Sequence, residues 1–478
     1  MQISKREFLK KLGVLAASGA AGTVRADEYV PVRGTLPEGS VGDPMNPGFG
    51  RLIFPLPHTI EDGPSCFLRD GKVVRPASEI PSFAETDVVV VGGGAAGFAA
   101  AVAAARSGAK TMLLEKSGSL GGLFTNGMVL IMLATSVRGE DGAWNLVTRG
   151  ICEEFMLRAR SLGPAASTGE CRKSSHWQPT VDPEAAKYLM DEMCREAGVD
   201  VVFHAYGVDT IQDGDRTLGV VFQSKQGAQA VLAKQVVDTT GDGDIFFSAG
   251  CGYRQISHGI GFTVRLGNID RVTASRPPAG GNGGGNGLVR QWPTRSNMGN
   301  RSSWWGSNLG APADGLDIRK VSMAEMDNRK FWWEHVAEMR KTPGWEEVYI
   351  ANTCSQIGPR TTRLLDSQLI VDRKAEAAKL NEKDVVGWFG NCGPHNGMAL
   401  PFAALLPKRG ENIVAAGRCI GAPDTTDTFR LICPCFVSGQ AAGTIAALAA
   451  RNGTSPRNLS YGQLAAELKK NKAYLGQA

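Results

Sequence analysis

The chain has 478 residues, of which 42% are hydrophobic and 21% charged, so it can bury a large core in two or three domains and is not a disordered polymer. Its formal net charge of +5 is concentrated at the start, where Lys5, Arg6, Lys10, Lys11 and Arg25 face only Glu7. The nearly neutral remainder carries no dense Lys/Arg cluster, which excludes a nucleic-acid-binding role, and no apolar run reaches the roughly 18 residues of a membrane span.

Residues 1–26 read as an export signal. A basic start precedes LGVLAASGAAG, and Val24-Arg25-Ala26 suits signal peptidase. Ser4-Lys5-Arg6-Glu7-Phe8-Leu9-Lys10 resembles the twin-arginine signal, with lysine in the first arginine's place. Residues 27–83, rich in Pro and Gly, read as an extended arm. Val88–Val91 predicts a buried strand, Gly94–Ser107 a small-residue helix and Thr111–Glu115 a second strand. A further helix is expected from Asp182 as N-cap and Pro183 as first residue to about Ala197, stopping at Gly198. Three β-branched runs follow, at Val201–His204, Thr217–Gln223 and Gln235–Thr239. Residues 276–311 read as a loop that includes Arg290, Trp292, Arg295, Arg301, Trp304 and Trp305, either an aromatic, cationic lid over a substrate or a loop pinned by its tryptophans. A helix is expected over Met323–Lys341, strands near Glu347–Asn352, Gln368–Asp372 and Asn412–Ala416, and a helix over Val437–Arg451.

The ten cysteines include no C-x-x-C pair, which removes iron–sulfur clusters of that spacing and C-x-x-C-H haem attachment. Cys433-Pro434-Cys435 has no partners at metal-ligand spacing, and no metal is expected.

Gly92, Gly94 and Gly97 fit G-x-G-x-x-G between a strand and a helix. The first permits a tight turn, the second a close approach of pyrophosphate and the third close helix packing, with phosphate at the helix N-terminus. Glu115, at the end of the next strand, can accept both ribose hydroxyls. The motif alone leaves open whether the cofactor is a nicotinamide that exchanges or a flavin that stays.

DVVVVGGGAAGFAAAVAAARSGAKTMLLEK, SLGGLFTNG, VDPEAAKYLMDEM, VVDTTGDGD, IGPRTTRLL and NIVAAGRCIG…FRLICPCFVSGQAAGTIAALAA occur in this order. Over roughly residues 84–452 the chain resembles the large bacterial family of FAD-dependent oxidoreductases built on the glutathione-reductase-type FAD fold, with fumarate reductase flavoproteins as distant kin. The resemblance implies an α/β fold, with a Rossmann-like FAD-binding domain on a parallel sheet and an inserted α+β substrate domain. It also implies non-covalent FAD, because the histidine that tethers flavin in the distant kin has no counterpart near SLGGLFTNG. By position, Gly92, Gly94, Ala95, Ala96, Gly97, Glu115 and Lys116 would hold the ADP half, and Gly121, Gly122 and Thr125 the ribityl chain and flavin. Asp242 would lie near the cofactor, and Gly417, Arg418, Gln440, Ala441 and Gly443 would embrace the flavin end, with Arg430 adding positive charge. Arg360 and Arg363 either bind an anionic substrate or brace the sheet, since Thr361 stands where the family usually has an acid. His395 is the first candidate for proton transfer at a substrate carbon and His258 the second.

The implied organisation is a signal (1–26), an arm (27–83), the first part of the FAD-binding domain (84–255), a substrate or cap domain (256–400), the return of the FAD-binding domain (401–452) and a tail (453–478). The expected activity is an exported FAD-dependent oxidoreductase that moves a hydride between a small organic substrate and flavin N5. Electrons then pass to or from an external carrier such as a cytochrome or quinone. A redox-neutral flavin-dependent isomerase or lyase and a non-enzymatic scaffold are the rival expectations.

Overall fold

The computed structural model describes residues 66–169, 176–273, 289–292, 302–307, 314–371, 384–390, 397–422 and 426–476, with only the backbone at 289–292, 303–305 and 426–427. The signal and most of the arm, Arg295, Arg301 and His395, and the side chains of Arg290, Trp292, Trp304 and Trp305, lie outside the described residues. The chain divides into two units, Met1–Glu79 and Ile80–Ala478. In the first, Phe67–Arg69 and Lys72–Val74 form an antiparallel hairpin.

The second unit opens on β1 (Ser82–Val91), whose Val88–Val91 run is buried, and α1 (Ala95–Arg106), then β2 (Thr111–Glu115). The helix α2 (Pro183–Ala197) starts on Asp182, whose side chain accepts the N–H groups of Glu184 and Ala185, and ends on Gly198 at φ 74°. β3 (Asp200–Phe203), β4 (Tyr206–Asp213), β5 (Arg216–Ser224) and β6 (Gly227–Asp238) follow.

A second sheet is built from β7 (Ile260–Gly267), β8 (Val289–Trp292) and β9 (Ser303–Ser307), then, past α3 (Ile318–Met339), from β10 (Tyr349–Thr353) and the short β11 (Gly358–Pro359). The chain returns to the first sheet with β12 (Ile413–Ala415) and closes over it with α4 (Ile432–Asn452).

The first sheet runs β3-β2-β1-β6-β5-β4. β12 joins β6 along its last three residues, and β3, β2, β1, β6 and β12 are all parallel. Register places Val91, Asp238 and Ala415 side by side, so three strands end together. In open parallel sheets the crevice outside such carboxyl ends is where ligands bind. The fold is therefore α/β, with a Rossmann-like domain and an inserted, wholly antiparallel sheet of order β8-β9-β7-β10.

The helices α1 and α4 pack on the first sheet through small residues. A Cβ on Gly439 would lie 2.1 Å from the Ala96 carbonyl oxygen, and one on Gly443 2.0 Å from that of Ala100. Against the expectation that no apolar run is that long, α4 is the one described helix long and apolar enough to cross a membrane, with mean hydropathy 1.5, but its window is entirely buried inside the protein. It begins five residues before the expected Val437, because Pro434 sits in its first turn, where no backbone donor is needed.

The second sheet's core gathers Phe262, Val264 and Leu266 against α3, which buries Ala324, Asn328, Trp332, Val336 and Met339 at helical spacing. Within that apolar face Asn328 Nδ2 donates to Ala324, while the Ser307 hydroxyl donates to Asn328 Oδ1 and accepts from Trp332 Nε1. Two expectations fail in this region. Residues 276–311 contain strands β8 and β9, and Gln368–Val371 is not a strand: its amides donate to Leu406 and Ala403 at the short 3-10 turn Phe402–Leu405, and to Gly421. Arg265 on β7 ties the second sheet to the start of α2, meeting Asp182 Oδ2 at 2.6 Å with both side chains mostly buried.

Candidate functional site

A first cleft of about 880 Å3, measured out to its mouth, lies at the carboxyl ends of the parallel strands. Its floor is backbone. Gly92 takes φ 95°, and a Cβ there would sit 2.7 Å from the Thr239 carbonyl oxygen. The Thr239 hydroxyl donates to the carbonyls of Val91 and Gly92, which fixes the turn. Gly94 caps α1 without a side-chain hydrogen bond, and a Cβ on it would meet nothing within 4 Å. The cleft is therefore open at Gly94, where the helix N-terminus presents Ala95 and Ala96 to it. Gly97 faces the other way: its Cβ would fall 1.7 Å from the Gly92 carbonyl oxygen. It is a packing position and not a lining one.

Glu115 is buried and lines the cleft. Its Oε2 accepts the Gly93 N–H at 2.6 Å and its Oε1 the Ser117 N–H at 2.7 Å, which aims the carboxylate while leaving each oxygen a lone pair. Beside it Lys116 Nζ sits 5.6 Å from the Tyr206 ring centre. Gly121 and Gly122, both at positive φ, also line the cleft, and Gly121 donates to the Gly93 carbonyl. Thr125 stands behind them, its hydroxyl donating to Leu120.

At the other end lie Gly417, Arg418, Arg430, Ile432 and Cys435, so the uncapped N-terminus of α4 faces the cleft. Burial pushes the Cys435 thiol up to about 12, so it is neutral, and among the described residues no cluster of metal-ligating groups exists. Asp242 is not in the lining. Burial raises its pKa, but Arg418 at 2.7 Å and the Thr362 hydroxyl at 2.6 Å outweigh that, and the carboxyl ends below its ordinary range. Arg418 keeps 9% of its side chain exposed; its Nη2 is spent on Asp242, and its Nη1 is buried without a partner.

A second cleft of about 1210 Å3 adjoins the first and shares Leu123, Arg418, Arg430 and Ile432 with it. One wall is Val129, Ile131 and Leu133. The other comes from the inserted sheet, through Phe262, Thr263, Gly306 and Ser307, and from Gly358, Pro359 and Arg360.

Of the two arginines left open by sequence, Arg360 lines this cleft, whereas Arg363 braces. Arg363 donates to Asp244 and to the Asp242 carbonyl and stacks 4.3 Å over Phe247. His258 accepts the Gly259 N–H at Nδ1 and lines neither cleft. Gln440, Ala441 and Gly443 are corrected in the same way. Gln440 accepts the Ile151 N–H and donates to the Asn471 carbonyl, and all three lie in the buried body of α4, where small size permits contact with α1. Sequence reading missed Tyr206, Gly207, Thr239, Thr240, Gly241, Asp244 and Gln356 in the first cleft. The Thr-Thr-Gly run after β6 was a usable signal, whereas nothing local marks Gln356.

A family model described as FAD dependent oxidoreductase matches residues 87–468. The chain belongs to that family. It is an FAD-dependent oxidoreductase, and FAD is its cofactor. No curated protein matches it. Among solved structures it is similar to a geranylgeranyl bacteriochlorophyll reductase-like protein from Thermoplasma acidophilum at 14% identity and TM-score 0.41, covering 82% of this chain and 84% of that one. It is also similar to p-nitrophenol 4-monooxygenase from Pseudomonas putida (11% identity, TM-score 0.41, 83% and 90% covered) and to a flavin-dependent brominase (13%, 0.42, 81% and 83%).

The residues of the first cleft fit FAD. The open face of Gly94 and the α1 N-terminus suit pyrophosphate, Glu115 suits a ribose, and the buried unpartnered Nη1 of Arg418 suits an electron-rich ring edge.

Proposed function

We propose that this oxidoreductase binds FAD non-covalently along the first cleft and a small organic substrate in the second. The adjoining of the two clefts carries the reading. A cofactor with its phosphates at Gly92, Gly94, Ala95 and Ala96 and its ribose on Glu115 has its far end at Arg418, Arg430 and Ile432, part of the wall common to both clefts.

Bound flavin supplies hydride exchange at N5 with a substrate carbon. The chain's residues contribute position and charge. The N-terminus of α4 and Arg418 place positive potential at the flavin end, which favours the anionic reduced state. Leu123, Val129, Ile131, Phe262 and Ile432 keep water from the meeting point of the clefts. The described lining of the second cleft holds no His, Asp, Glu, Lys, Cys or Tyr, and its two hydroxyls are already engaged, that of Ser307 on Asn328 and that of Thr263 on the Gly127 carbonyl. Proton transfer is kept with His395, the first candidate from the sequence, with Arg360 and Arg430 orienting the substrate.

Residues 1–26 are assigned to export in a folded state by the twin-arginine route, to a compartment without a nicotinamide pool, and a cytochrome or quinone there exchanges the electrons. The reading predicts a flavin spectrum in the purified protein, flavin released by denaturation, and bleaching by substrate or reduced viologen without air. A protein that shows no flavin band and gains none with added FAD refutes it. Turnover without net bleaching refutes the electron-transfer step and favours redox-neutral chemistry.

A further inference from the structure

The charge at the flavin end of the first cleft is set by a pair of side chains. Asp242 follows β6 and Arg418 follows β12, two neighbouring parallel strands whose last residues, Asp238 and Ala415, are paired in register. The two side chains meet beyond those strand ends, where Arg418 Nη2 donates to Asp242 Oδ1 at 2.7 Å. The fold makes room for this contact. Gly241, at φ 81°, lets the guanidinium lie against the turn, since a Cβ there would come within 2.7 Å of Arg418 Nε. Asp242 is held by two further donors. The Thr362 hydroxyl stands 2.6 Å from the same carboxylate oxygen, and Arg363 Nη1 donates to the Asp242 carbonyl. Asp244, the other carboxylate of this turn, is engaged by Arg363 at 3.0 Å.

Arg418 lines the first cleft and Asp242 does not. The pair is therefore a fixed dipole with its cation at the cleft and its anion behind. Its side chains keep only 9% and 19% of their surface exposed, so water screens the dipole weakly. Burial raises the Asp242 pKa, but Arg418 and Thr362 bring it below the ordinary carboxylate range, which keeps the anion charged at neutral pH.

Resting on the reading that the flavin end of FAD lies at Arg418, we propose that Asp242 is a positioning residue that sets the flavin reduction potential without touching the cofactor. It holds Arg418 against the cleft and offsets part of its positive charge. An Arg418 without that anion would favour the anionic reduced flavin more strongly, so Asp242 keeps the potential down.

The test follows the two-electron equilibrium of the full-length, FAD-loaded protein with a redox dye of known potential, under argon, by visible absorbance. Asp242→Asn keeps the shape and one acceptor oxygen but removes the negative charge. It should move the equilibrium toward reduced flavin by a factor on the order of ten. Arg418→Gln leaves the carboxylate without its cation and should move the equilibrium the other way. The double variant, Arg418→Gln with Asp242→Asn, should return it close to that of the unmodified protein. Because the double variant buries no unpaired charge from this pair, it decides the matter even where Asp242→Asn alone does not fold: it must be more readily reduced than Arg418→Gln. An Asp242→Asn protein no easier to reduce than the unmodified one overturns the proposal, as does a double variant equal to Arg418→Gln. If Arg418→Gln shifts the equilibrium and Asp242→Asn does not, this inference alone falls. If Arg418→Gln also leaves the equilibrium unaltered, the placement of the flavin end at Arg418 falls with it.

Discussion

The two clefts are made of different material. The first is floored by backbone, with glycines at 92, 94, 121 and 122, two helix N-termini and a carboxylate held by two amides. The second is walled by residues drawn from four stretches far apart in sequence, around 123–133, 261–307, 358–360 and 418–432. A backbone site must be specified by residues that keep out of the way, and such residues recur at fixed spacing. A side-chain site needs only the right groups to converge, so its spacing carries no code. A backbone-floored site can therefore serve a whole family's cofactor, while a side-chain site is free to vary.

That contrast can be broken by mutation. The largest effect is expected for Gly97→Ala, which drives a Cβ to 1.7 Å from the Gly92 carbonyl oxygen, a backbone atom that cannot step aside. Overpacking of this kind should cost more than about 3 kcal/mol in chemical denaturation and remove FAD as a consequence. An unchanged denaturation midpoint would mean that Gly97 is not a packing position. Next is Asp182→Ala, which removes the α2 cap and leaves Arg265 mostly buried without its carboxylate. A loss of about 2–3 kcal/mol is expected, against about 1 kcal/mol for an exposed cap alone. A loss no larger than the cap's would show that the second sheet and α2 are not coupled through this pair. The smallest effect on folding is expected for Gly94→Ala. Its Cβ has open space and its φ of −64° is ordinary, so stability should move by less than about 1 kcal/mol. FAD affinity should nevertheless fall at least tenfold by fluorescence titration. If affinity and stability instead fall together, the floor of the first cleft is scaffold as much as binding surface.

How much could be read from the chain follows the same division. Thr111–Glu115 and the helix from Pro183 to Ala197 stand where local signals put them, because a buried β-branched run, an Asp-Pro start and a Gly stop act within a few residues. The strand Tyr206–Asp213 was invisible because it is largely exposed and mostly polar, so no apolar alternation marks it. Strands β8 and β9 hide in a Gly-rich stretch because the pairing of β9 with β7, and of β8 with β9, is settled by tertiary contacts. The helix α3 starts five residues before the expected Met323, on Asp317, whose carboxylate accepts from Arg319 and Lys320. Gln440, Ala441 and Gly443 were misplaced for a different reason. Small residues serve close helix contact and close cofactor contact alike, and only the neighbour, here α1, tells which.

The helix Ile432–Asn452 has a consequence for how this chain can travel. In the folded protein its apolar face is sealed on every side, and α1 closes against its glycines. In an unfolded chain the same 21 residues are, by length and composition, enough to cross a membrane. A copy threaded residue by residue through a membrane channel would thus risk stalling there, with its own core helix acting as an anchor. A copy that folds first carries no such hazard.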